Sequence, residues 1–177
     1  MAYRTTQRNC AIFFLIALLL LSCLGCKESL SNGQVADQTV AQVLQFVAAQ
    51  DSSGLLQFFA PNVQTATPEL RDQITAFFTF LQGPVVSVSP AEDSGVGGIS
   101  TVQNQKVHRE IDSAFCLTTN QKTYYIAMLE CVRDDADMGN VGLLSLYVID
   151  AENWNRDYVY RGDGRWTPGI NVVNEPQ

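Results

Sequence analysis

The apolar period of this chain changes at Gly83-Pro84, and that change limits the fold more than any other feature. Upstream, Ala36, Val40, Val43, Leu44 and Val47 repeat at helical spacing, as do Leu70, Ile74, Phe77, Phe78 and Leu81. Between these stripes, Asp51 or Ser52 is placed to cap a short helix carrying Leu55, Leu56, Phe58 and Phe59, which Pro61 ends. Thr67 as N-cap, Pro68 at the first helical position and Glu69 beside the positive end of the dipole predict where the next helix starts. Gly83-Pro84 stops it.

Downstream the period is two. Residues 85–89 predict a short strand, and residues 91–100 a loop rich in Gly, Ser and acid. A long hairpin follows, with Val107, Ile111, Phe115 and Leu117 on one face of its first strand and Lys106, His108, Glu110 and Asp112 on the other. The return strand, residues 123–132, puts Tyr124, Ile126, Met128 and Val132 on the matching face, and residues 141–150 form an apolar central strand. Helices first and antiparallel strands afterwards predict an α+β fold, with N-terminal helices packed on one face of a curved antiparallel sheet.

Residues 1–22 read as an export signal. Arg4 and Arg8 form a basic start, and residues 11–21 are unbroken apolar. Eleven such residues make a helix of about 16 Å, against a hydrocarbon core of about 30 Å, too short for a permanent span. Ser22-Cys23-Leu24-Gly25-Cys26 follows, where a lipoprotein signal peptidase would act. Cys23 has leucine at the expected distance before it; Cys26 has the better small residue immediately before it. Either thiol, the first favoured, would carry acyl chains such as palmitate, each buried methylene contributing about 0.8 kcal/mol to anchoring. Residues 23–34 then form the lipidated start and a polar tether, and residues 35–177 one domain.

The formal charge of −7 becomes −9 once Arg4 and Arg8 are removed with the signal. A dispersed acidic surface of this kind repels phosphate backbones and excludes nucleic acid as a partner. Cys116 falls opposite Tyr125 and Cys131 opposite Glu110 in the predicted hairpin. The two thiols are then six residues out of register, about 20 Å apart, beyond disulfide reach.

Three blocks carry a resemblance: residues 73–83; residues 141–150, Val-Gly-Leu-Leu-Ser-Leu-Tyr-Val-Ile-Asp; and residues 166–170, Trp-Thr-Pro-Gly-Ile. From residue 35 to 172 the chain resembles a bacterial lipoprotein family, domain of unknown function 5104. Its element order is similar to the nuclear transport factor 2-like (cystatin-like) cone. The resemblance implies fold and location at the extracytoplasmic face of the cell membrane, and no catalytic residues.

Chemical candidates are few. His108, the single histidine, lies among charged neighbours and reads as an exposed strand residue; no serine is singled out to complete a Ser-His-Asp set. Tyr124, Tyr125 and Tyr147 could serve an isomerase, yet they lie on core strands, where aromatic residues read as structural. Asp134, Asp135 and Asp137 lack the spacing of a calcium loop. Gly95-Val96-Gly97-Gly98 lacks the Lys-Ser/Thr of a phosphate cradle. No metal, cofactor or catalytic set is therefore expected. Trp154, Tyr158, Tyr160 and Trp166, among Asp157, Arg161, Asp163 and Arg165, mix ring area with orienting charge as a recognition surface does. The expected function is non-catalytic binding of a small ligand or envelope protein by a lipid-anchored domain. The alternatives are an enzyme acting on an exported substrate in a cone-shaped pocket, and an accessory or immunity-like subunit.

Overall fold

In the computed structural model, residues 30–92, 95–153 and 166–173 are described. Asn32–Gln177 forms a compact unit that carries every helix and strand among the described residues. Cys23 and Cys26, with the expected export signal, lie outside the described residues, as do Trp154, Tyr158 and Tyr160.

Four helices open the domain: α1 (Asn32–Ala49), α2 (Ser52–Phe58), α3 (Pro61–Ala66) and α4 (Leu70–Phe80). α1 begins three residues before the expected boundary at Val35, because Asn32 has partners in the fold. Its Oδ1 accepts from Arg109 Nη2 at 2.7 Å, and its Nδ2 donates to Gly97 O at 3.4 Å. α1 ends with Gln50 in the left-handed region (φ 52°), the Gln50 and Asp51 N–H groups closing on the carbonyls of Val47 and Phe46. Asp51 then caps α2, accepting from Gly54 N at 2.8 Å, as expected. Pro61 does more than end that helix: it opens α3, where its missing N–H has no helical role. Thr67 and Pro68 start α4 differently from the expectation. The Thr67 carbonyl, not its hydroxyl, accepts from Leu70 N at 3.1 Å, and the helix proper begins at Leu70.

Six strands, β1 (Val85–Pro90), β2 (Ile99–Gln103), β3 (Lys106–Thr119), β4 (Thr123–Asp134), β5 (Gly142–Asp150) and β6 (Gly169–Val173), form one curved, open sheet among the described residues. Its order is β1-β3-β4-β5-β6, with β2 also on β3. Among the described residues of the expected 91–100 loop, 91, 92 and 95–98 are irregular, but its end begins β2, which pairs with β3 through a tight turn at Asn104 and Gln105, both at positive φ (52° and 65°). The sheet is antiparallel through β5, as expected. β6 departs from that, running parallel to β5 after the 151–168 connection.

One apolar layer joins helices to sheet. Val40, Val43, Leu55, Phe59, Leu70, Ile74 and Phe77 meet Phe115, Leu117, Tyr124, Ile126, Met128, Leu146 and Val148, all buried. Val132 is buried but outside this layer, since a bulge opposite the Arg109/Glu110 step breaks the alternation that placed it there. The register sets Cys116 against Tyr125 and Cys131 against Glu110, as the sequence implied, and both cysteines are free thiols. No described helix is long and apolar enough to cross a membrane.

Candidate functional site

Two regions gather polar or aromatic groups. At one end of the β3–β4 pair, register puts His108 opposite Asp134. His108 Nδ1 lies 3.2 Å from Asp134 Oδ2, and Nε2 lies 3.1 Å from Glu110 Oε1. With a carboxylate at each ring nitrogen, neither is turned to a hydroxyl or thiol that it could activate. Cys131, in the same neighbourhood, has its thiol pushed up to about 11 by burial and then by the charges of Glu110 and Asp134, far from a reactive thiolate.

The three aspartates of the following turn are structural acceptors. Asp134 takes Asn140 Nδ2 at 2.9 Å and the N–H groups of Ala136 and Asp137. Asp135 holds Arg133 Nε at 2.7 Å and Val107 N at 2.9 Å, and Asp137 holds Gly139 N at 2.8 Å and Asn62 Nδ2 at 2.9 Å. Their carboxylates thus face different partners, and no described group of His, Cys, Asp and Glu converges as a metal would require.

These contacts bias stability with pH. The Asn140 amide and the Asp137 N–H hold the Asp134 carboxyl down to about 2, against an ordinary 3.8; Lys122 does the same to Asp150 in direction. The folded value lies below the unfolded one, so the unfolded chain binds more protons between them and stability falls as pH drops from about 4 to 2. Unfolding midpoints measured from pH 7 to 2 should show this decline, and Asp134→Asn should make it shallower. An identical decline in the variant would refute the assignment.

Tyr124 and Tyr147 are similarly committed. Tyr124 Oη donates to Phe80 O at 3.2 Å and accepts from Gln82 N at 3.0 Å, and Tyr147 Oη accepts from Thr167 N at 2.7 Å. Glu130 escaped notice in the sequence although it lies in phase with Tyr124, Ile126 and Met128. It is 5 % exposed and accepts from the Thr39 hydroxyl of α1. An acid in apolar phase was the available signal.

The second region is the sheet face turned away from the helices. Across β3, β4 and β5, Ala114, Ala127 and Tyr147 form one row, all buried, with Ala91 beside them. Tyr125, Trp166 and Val173 pack against that cluster, Trp166 meeting Tyr147 edge-on at 5.8 Å. Ala114, Ala127 and Tyr147 are at most 1 % exposed, so the row itself is covered, and the half-buried rings of Tyr125 and Trp166 are what this face presents. Of the expected recognition residues, Trp166 is placed here. Elsewhere an open hollow of about 380 Å³ lies over the Lys122–Asp150 ion pair (2.7 Å), and an open groove of about 670 Å³ runs along α4 past Thr75, Thr79 and Val172.

A family model described as a domain of unknown function (DUF5104) matches residues 42–151, more than half of the chain. The match ends before the Trp166–Ile170 block that contributed to the resemblance. No curated protein matches.

Proposed function

We propose a function from the premise that the chain belongs to the DUF5104 family: it is a lipid-anchored, non-catalytic domain that binds an envelope protein through the aromatic sheet face. The observation that carries this reading is the filled layer between helices and sheet. Phe59, Phe77, Leu117, Ile126, Leu146 and Val148 are each at most 1 % exposed, where a cone-shaped substrate pocket would need space. Helices followed by a curved sheet support a nuclear transport factor 2-like cone, here closed by its own side chains. The half-buried Tyr125 and Trp166 supply ring area on the opposite face, backed by the buried Tyr147, and are of the residue types that dominate binding energy in interfaces. Trp154, Tyr158 and Tyr160 would extend it. Cys23 or Cys26 would hold the domain at the extracytoplasmic membrane surface.

A photo-cross-linking residue in place of Trp166, in the full chain in its own cells, should give one discrete adduct in the membrane fraction, lost on Tyr125→Ser. No adduct, or the same adduct from buried position Leu146, would sink the binding reading. Labelled fatty acid should be incorporated by the wild type and lost when Cys23 and Cys26 are both changed to Ser. No incorporation by the wild type would sink the anchor.

A further inference from the structure

The outer edge of β3 is covered by two short strands that differ in how well they are protected. β1 is blunted by a bulge at Val86 and by Pro90, two devices that keep sheet edges from pairing further. β2, Ile-Ser-Thr-Val-Gln, has no proline, no bulge and no charged side chain, and all five residues are exposed, Ile99 by 63 % and Val102 by 70 %.

Its open groups can be identified. β2 joins β3 through a two-residue turn, so Gln103 and Lys106 form a hydrogen-bonded pair and the pairs alternate from there. Val102 opposite Val107 is then a non-bonded pair. The other side of Val107 agrees: its N–H donates to Asp135 Oδ2 at 2.9 Å and its carbonyl accepts from Asp135 N at 2.9 Å, both away from β2. The N–H and C=O of Val102, and by alternation of Ser100, therefore point outward from the sheet edge with no partner among the described residues.

We propose that β2 pairs antiparallel with β2 of a second copy of this chain, about a two-fold axis at Thr101. The charge pattern favours a second copy. The chain carries a net charge of −7, yet the residues that would meet are neutral. In this register Ile99 of one copy faces Gln103 of the other, so the row beginning at Glu110 in one copy ends at Lys106 in its mate, and opposite charges share each outer row. Ser100 and Val102 exchange main-chain hydrogen bonds across the axis. Thr101 meets Thr101 as a non-bonded pair, with Cα atoms about 4.5 Å apart, within disulfide range. A five-residue contact is weak alone; tethering both copies to one surface would raise their effective concentration. The pairing itself does not depend on the proposed aromatic binding face.

The test is cysteine cross-linking in the full chain, in membranes under mild oxidation. Thr101→Cys should give a dimer band on a non-reducing gel, at least tenfold above wild type, whose native thiols set the background. Gln103→Cys alone should not, but should cross-link when mixed with Ile99→Cys. Adding Val102→Lys should abolish the Thr101→Cys dimer while leaving the melting temperature unchanged. A Thr101→Cys yield no higher than wild type, an adduct of another mass, or a dimer equally strong from Gln103→Cys would overturn the proposal.

Discussion

Replacing Phe77 by alanine is expected to lower the unfolding free energy by about 3–5 kcal/mol, the cost of removing a buried aromatic ring from a core that cannot fully collapse. Phe77 is 0 % exposed and belongs to the layer joining α4 to the sheet, whereas its neighbour Phe78, with ring centroids 5.9 Å apart, is only half-buried. Phe78→Ala should therefore cost about half as much or less, since part of its ring is already in water. Equilibrium unfolding in urea checks both. The reading that this layer fills the domain also rests on the result. A Phe77→Ala variant losing under about 1 kcal/mol would mean that the helices are loosely held and that space between the layers is accessible.

That layer is also the part most legible in the sequence. Leu70, Ile74 and Phe77 face the sheet because helical spacing puts them on one side, and Phe115, Leu117, Tyr124, Ile126 and Met128 meet them because strand alternation does the same. Each of those periods is local. What went unread depends on long-range context: α3 after Pro61, since proline ends one helix and starts another equally well; β2, whose short polar-apolar mixture resembles a loop until β3 pairs with it; and the parallel return of β6, set by a connection rather than a pattern. The candidate site divides likewise. Trp166 was visible as an aromatic near others in sequence, but Ala114 and Ala127 gain meaning only from register, which puts them in one buried row with Tyr147, beside Tyr125. Bulges explain the remaining misses. One takes Val132 out of phase, and a second at the Leu129/Glu130 step lies beside the acid that reaches Thr39.

The second bulge points to a glycine whose replacement should be nearly as damaging as losing Phe77. Gly142 opens β5 at φ 132°, a backbone conformation that side chains disfavour. A Cβ there would lie 2.8 Å from Ala60 N, 3.0 Å from Ala60 Cα and 3.1 Å from Phe58 O. All three are main-chain atoms, so no rotamer change relieves the collision, and Gly142→Val should cost about 2–5 kcal/mol from strain and overpacking together. The loss has a defined location. Ala60 N donates to Leu143 O at 3.0 Å and Phe59 bridges to Leu143, so this is where the helical layer is stitched to the sheet by backbone. Gly33 in α1 provides the contrast: nothing lies within 4 Å of a Cβ added there, and Gly33→Ala should be neutral or stabilising by up to about 1 kcal/mol through helix propensity. Urea unfolding of the two variants side by side separates the effects. Equal costs would show that the approach of residues 58–60 to β5 is not the constraint on Gly142. A large cost at Gly142 alone would show that close backbone contact, as well as apolar burial, holds the helices against the sheet and keeps the space between them filled.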